Sequence, residues 1–190
     1  MQNQEEPLIK DFKSAIIISP PIELSIQIQQ YRKKYDKAFV RWMPHINLIF
    51  PFVKINDFNS VYDLLRKELS DFPAFKLVFK EVSFFQHGNN YVVWLKPETP
   101  EDPTIINRLQ AKLESLLPGF NELSNKSPAG FQPHLTLGQF NGKKEAEQKI
   151  ASIQADLQPI EFEVSEIFMI NRNGDVPFSI ENTIRLSRKL

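Results

Sequence analysis

Two of this chain's three histidines stand in the same local grammar. His45 belongs to Pro44-His45-Ile46-Asn47-Leu48 and His134 to Pro133-His134-Leu135-Thr136-Leu137, in each case proline, histidine, aliphatic, small polar, aliphatic. On an extended strand, successive side chains point to opposite faces. His45 would therefore share a face with Asn47, and His134 with Thr136, while the aliphatic residues line a core. The histidine face must then look into a cleft or solvent. Gly138 continues the polar face of the second segment and leaves room for a ligand. Imidazole titrates near pH ~6.5, so two of them across a phosphodiester could take a proton from the attacking oxygen and return one to the leaving oxygen. Asn47 and Thr136 would donate hydrogen bonds to the non-bridging oxygens. No metal and no cofactor are called for, because neither motif carries the carboxylates of a two-metal site. A single histidine in a half-buried strand is ordinarily a packing residue; it is the recurrence that points to chemistry. His87 lies outside this grammar, beside Gly88-Asn89-Asn90, and reads as an exposed turn residue.

The surrounding elements must hold both histidines at one place. Ala15 to Ile18 is a β-branched run ended by Ser19-Pro20-Pro21 and reads as a buried strand. Pro21 then suits the first turn of a helix over Ile22 to Tyr35. Pro44 to Pro51 reads as a strand, Val61 to Leu69 as a helix, and Phe75 to Phe85 as a strand. Gly88-Asn89-Asn90 marks a turn, with Tyr91 to Leu95 as the returning strand. The pattern recurs: helix Ile105 to Leu117 stopped by Pro118-Gly119, a polar loop from Asn121 to Gly130, and a strand from Pro133 to Gly138. A helix from Lys143 to Leu157 and strands at Ile160 to Ile170 and Ser179 to Ser187 complete the chain. Both halves run strand, helix, Pro-His strand, helix, strand, which an internal duplication explains most economically. The expectation is an α+β fold. It would be a single two-lobed domain spanning 1–190, with pseudo-symmetric halves at roughly 12–87 and 91–190. Each half would be an antiparallel sheet with helices packed outside, and the histidines would sit on central strands facing the cleft between them.

Composition narrows the function. The chain has 190 residues, 42% of them hydrophobic, which suffices for a core, and its 16 Phe mostly belong there. Its 23 basic and 23 acidic residues balance, whereas a protein that tracks along nucleic acid carries a basic excess. Neutrality still permits the grip of one nucleotide or one RNA end. The absence of cysteine removes disulfides, thiolate metal sites and cysteine nucleophiles. Residues 1–10 lack the basic and apolar regions of a signal peptide, and no stretch approaches the ~20 apolar residues of a membrane helix. The expectation is a soluble monomer of the cytoplasm or nucleus that acts on a small substrate without a membrane partner.

The paired tetrapeptides resemble those of the 2H phosphoesterase superfamily, also called the 2′-5′ RNA ligase-like or cyclic nucleotide phosphodiesterase family. Its signature is two His-x-Thr/Ser-x motifs on paired central strands of a two-lobed fold. By element order the resemblance covers nearly the whole chain, though only the tetrapeptides are diagnostic. His134-Leu135-Thr136-Leu137 matches fully; in His45-Ile46-Asn47-Leu48, Asn47 replaces the hydroxyl residue. The resemblance implies a metal-independent phosphodiesterase with His45 and His134 as acid and base. The implied substrates are 2′,3′-cyclic phosphate ends of RNA, ADP-ribose 1″,2″-cyclic phosphate, or 2′-5′-linked or 3′-terminal oligonucleotides. A shelf for the base would be aromatic; Trp42, Phe131 and Tyr91, with Phe140, lie near the motifs, and core packing competes for each. Two rivals stand beside this reading. One is a catalytically retired domain of the same family that only binds nucleotides, for which Asn47 would be the sign. The other is a ferredoxin-like RNA-binding module built on the aromatic run Phe75 to Phe85, which lacks the Gly-aromatic spacing of such modules.

Overall fold

The computed structural model describes residues 7–188, and its architecture is α+β. The chain opens with two short strands, β1 (Lys10–Asp11) and β2 (Ser14–Ile18), and the helix α1 (Ile26–Tyr35) follows. Strands β3 (Ile46–Ile49) and β4 (Phe52–Val53) lead to α2 (Phe58–Glu68) and then to the long hairpin of β5 (Phe75–His87) and β6 (Asn90–Glu98). Helices α3 (Ile105–Leu116) and α4 (Glu122–Asn125) precede β7 (Leu135–Asn141) and α5 (Lys143–Asp156). Strands β8 (Ile160–Val164), β9 (Glu166–Asn171) and β10 (Ser179–Arg185) close the fold.

Two four-stranded antiparallel sheets form the lobes, in the orders β10-β9-β2-β3 and β7-β6-β5-β8, and β1 pairs with β4 separately. In both sheets the strand opened by a histidine is an edge strand. The expected central position is therefore corrected. Pro44 and Pro133 have no N–H to give to a ladder, so pairing begins only after the histidines, at Ile46 and Leu135. The sheets also do not follow the division at 87/91, which falls at the β5–β6 turn inside one sheet. The first sheet draws β2 and β3 from one end of the chain and β9 and β10 from the other.

Helices cross between the sheets. Helix α1 leaves the first sheet and packs on β7 of the second, as α5 does, while α2 and α3 pack on β10 and β3 of the first. Apolar faces drive this: α2 buries Phe58, Val61 and Leu65, and α3 buries Ile105, Ile106, Leu109 and Leu113, at helical spacing. These residues join Ile16, Leu48, Phe79, Val93, Leu137 and Met169 in one core cluster that reaches both sheets.

Two expected elements divide. The helix foreseen from Ile22 begins as a 3₁₀ turn at Ile22–Leu24, and Ser25 intervenes with its hydroxyl bonded to the Pro21 carbonyl at 3.0 Å before α1 proper. The strand foreseen over Ile160 to Ile170 breaks at Ser165, so that β8 pairs with β5 and β9 pairs with β2 and β10. The buried positions change parity there, from Ile160 and Val164 to Ile167 and Met169. Helix α4 lies within the segment expected to be loop.

Candidate active site

Each histidine is held by the same local device. His45 Nδ1 donates to the carbonyl of Met43 at 2.7 Å, and His134 Nδ1 donates to the carbonyl of Gln132 at 2.8 Å. A carbonyl can only accept, so the proton is on Nδ1 and the lone pair is on Nε2 in both rings. Proline stands between carbonyl and histidine in both segments, and its fixed φ sets the turn that closes this contact.

The first lobe builds a close enclosure for His45. Trp42 lies flat on its ring, with centroids 4.5 Å apart and 20° between planes, and Phe178 packs against Trp42 with centroids 3.9 Å apart. Asn47 Nδ2 donates to His45 Nε2 at 3.2 Å, which leaves Asn47 Oδ1 buried without a hydrogen-bond partner among the described residues. Burial pushes the His45 pKa down to about 4. The Met43 contact opposes this, the nearby charges of Arg32 and His134 lower it further, and Asp36 raises it.

His134 sits against Phe85, edge-on at 4.9 Å, and Trp94, at 5.9 Å between centroids. Its pKa is lowered as well, chiefly by burial and in addition by Lys126, while the Gln132 contact raises it. Thr136 pairs across the strands with Trp94, and Trp94 with Ser83. The indole Nε1 of Trp94 is a second buried polar atom without a partner among the described residues. Thus both tryptophans of the chain pack near the two motif histidines, and among the described residues Asn47 keeps an unpaired buried acceptor and Trp94 an unpaired buried donor.

Other expected residues lie elsewhere. Gly138 is turned away from the site by a register shift in the β6–β7 ladder: Thr136 faces Trp94, but Gly138 pairs with the core residue Val93. The expected role of making room for a ligand is corrected, because Gly138 instead admits the end of α1. A Cβ there would collide with Tyr35 Cβ and lie 2.8 Å from the Tyr35 carbonyl oxygen. Tyr91 and Phe140 pair with each other and are buried in the main core, on the face of β6 opposite Trp94, so neither offers a shelf. Phe131 packs on that core too, and its carbonyl accepts from Asn107 at 3.1 Å. His87 is exposed at the hairpin end. Sequence reading passed over Phe85, Trp94, Phe178 and Arg32; only the alternation of β6 against Thr136 offered a signal, and it needs the register to be read. A cavity of about 800 Å³ lined by Ile18, Phe39, Met43, Pro44 and Phe168 borders the backbone that holds His45, but neither histidine lines it. Among the described residues no three His, Asp or Glu side chains gather as metal ligands, and no helix is long and apolar enough to cross a membrane.

The profile of the 2′-5′ RNA ligase superfamily matches residues 20–176, which spans both histidine motifs. The chain belongs to this superfamily. Its curated relatives include a protein of Staphylococcus aureus (strain Newman), named provisionally as a phosphoesterase, which is 26% identical over 121 residues. That match covers 63% of this chain and 66% of the relative, so the chain spans just under two thirds of the curated relatives it matches. Among solved structures, E. coli LigT bound to 3′-AMP superposes with a TM-score of 0.60 at 19% identity, covering 96% of this chain and 99% of LigT. A protein of Thermus thermophilus gives 0.55 at 15% identity, covering 91% and 97%. At such identities the likeness is one of fold, and it is the fold that the 2H resemblance implies: antiparallel sheets in two lobes with helices outside.

Proposed function

We propose that this 2′-5′ RNA ligase superfamily member is a metal-independent phosphodiesterase acting on a cyclic or RNA-terminal phosphodiester, with His45 as general base and His134 as general acid. The observation that carries the reading is the shared construction of the two histidines. Each donates Nδ1–H to a carbonyl two residues back, which leaves the Nε2 lone pair as the proton acceptor, and the charge of His134 bears on His45. The division of labour follows from environment. His45, pressed between Trp42 and Asn47, is held neutral and suits the base, which takes the proton of the attacking oxygen. His134 is the partner that donates to the leaving oxygen once a substrate anion raises its affinity for a proton. The unpaired atoms fit the same substrate, with Trp94 Nε1–H for a phosphate oxygen and Asn47 Oδ1 for a hydroxyl beside it. Thr136 supplies a further donor.

LigT has been solved with 3′-AMP and with phosphate, so the ligand class to test first is the ribonucleotide with a terminal or cyclic phosphate. The experiment is turnover of a panel of 2′,3′-cyclic nucleotides, ADP-ribose 1″,2″-cyclic phosphate and short oligonucleotides, in the presence of EDTA. Release of a linear phosphomonoester from one class supports the proposal and names the substrate. Tight binding of every candidate with no turnover would replace it with the retired, nucleotide-binding reading.

A further inference from the structure

Helix α1 hides Arg32 at 1% exposure and, at its C-terminal boundary, Asp36 at 8%. A buried ion pair contributes little net stability, because the desolvation of both charges offsets most of their attraction. The contacts of this pair suggest a different use. Arg32 Nε donates to Asp36 Oδ2 at 2.9 Å, and Arg32 Nη2 lies 2.8 Å from the same oxygen. Nη2 also donates to the carbonyl of Trp42 at 3.0 Å, and Nη1 donates to Gln29 Oε1 at 3.0 Å. The other carboxylate oxygen, Asp36 Oδ1, accepts from Ala38 N at 2.9 Å and from Gln139 Nε2 at 3.2 Å. Gln139 Oε1 in turn accepts the backbone N–H of Lys37 at 3.0 Å. Trp42 is the residue stacked on His45, and Gln139 lies on β7, the strand that His134 opens.

We propose that the Arg32–Asp36 pair is the positioning device of the site, gripping Trp42 beside His45 with one partner and the His134 strand at Gln139 with the other, on the reading that these two imidazoles do the chemistry. One ion pair on one helix thereby sets where the two histidines stand relative to each other. The guanidinium is suited to this because its planar fork reaches Asp36, Trp42 and Gln29 at once, whereas a lysine ammonium on a flexible stem does not hold three such acceptors in fixed directions. The same pair makes two similarly built histidines unequal. Arg32, Asp36 and His134 are the charged groups that act on His45, whereas His134 feels Lys126. The Arg32 charge adds to burial in keeping His45 unprotonated.

The test separates grip from charge. Arg32→Lys, Arg32→Met and the double variant Arg32→Met/Asp36→Leu are compared with wild type in thermal unfolding, in turnover of adenosine 2′,3′-cyclic phosphate, and in an NMR titration of the histidine ring protons. Arg32→Lys keeps the charge and loses the fork, so kcat/KM should fall roughly ten- to a hundredfold with His45 titrating where it does in wild type. Arg32→Met leaves Asp36 acting on His45 alone, so the His45 titration should move up. The double variant removes both charges together and should fold even if Arg32→Met does not, with a rate loss at least that of Arg32→Lys. A folded double variant with wild-type kcat/KM would overturn the positioning role, and an unmoved His45 titration in folded Arg32→Met would overturn the part of the proposal in which the Arg32 charge keeps His45 unprotonated. Wild type that turns over no phosphodiester at all would overturn the two-histidine reading itself, and the NMR titration distinguishes that failure because it needs no turnover.

Discussion

The amide nitrogen of Asn47 donates to Nε2 of His45 at 3.2 Å, so the residue that departs from the family's His-x-Thr/Ser pattern is spent on the histidine of its own motif. Replacement by threonine keeps a side-chain donor two positions from His45, and Asn47→Thr should retain most activity. Asn47→Ala removes both the hold on Nε2 and the free Oδ1, and a tenfold to hundredfold loss of kcat/KM is expected. Asn47→Asp sets a carboxylate against the ring and should move the acid limb of the pH–rate curve upward, since a neighbouring anion favours the imidazolium. Equal, negligible effects of all three substitutions would remove Asn47 from the site.

Gly138 tests the seat of α1 on β7. A methyl group there meets backbone and Cβ atoms of Tyr35 rather than a flexible side-chain end. Gly138→Ala should therefore lower stability by roughly 1–3 kcal/mol, the usual cost of forcing extra bulk into a packed contact. The same shift displaces Asp36, next to Tyr35, from Gln139, so kcat/KM should fall as well. A variant with the wild-type melting temperature would show that the helix does not rest on the strand this closely.

The histidine pair was legible because Pro-His-aliphatic-polar-aliphatic is a local pattern, and both the turn held by Nδ1 and the strand beyond it are local consequences. Element order was legible for the same reason: hydrophobic spacing in α2, α3 and β5 reports the nearest surface each one covers. Pairing partners were not. Nothing local in Ile160 to Ile170 says that its two parts join different sheets, and nothing in Gly138 reveals the register shift that rotates it into the core. The aromatic walls failed on this account, since Tyr91 and Trp94 both look suitable on β6 and only the register assigns one to the core and the other to His134. Arg32 sits in a helix otherwise rich in glutamine and exposed lysine, where burial has no sequence signature.

Acid should unfold the protein in part through His45. Its pKa is about 4 in the folded protein and near ~6.5 in an unfolded chain. The unfolded state therefore takes up this proton first as pH falls. The contribution is fully present above about pH 6.5 and is lost as pH drops through the folded value near 4. Thermal melts of wild type and His45→Gln across that window should converge toward low pH, because the variant has no proton to take up at this position. Parallel curves would show that His45 titrates alike in both states.

The pH–rate curve is the sharpest test of the acid and base assignment. With His45 required neutral and His134 protonated, kcat/KM should be bell-shaped. Burial lowers both groups, His45 to about 4 and His134 below its ordinary value, so the maximum should fall on the acid side of neutrality. The two limbs belong to the interacting pair, and the NMR titration of the histidine ring protons is what assigns them to single rings. His45→Ala and His134→Ala should each abolish most turnover, and under the proposed reading nucleotide binding through Asn47, Thr136 and Trp94 should survive both. The double replacement should cost little beyond either single one, because base and acid act as a unit and such losses do not add. Turnover should survive EDTA in wild type. A curve flat between about pH 4 and 8, across the range where these rings would titrate, would defeat the mechanism, and so would a His134→Ala protein that keeps most of its rate.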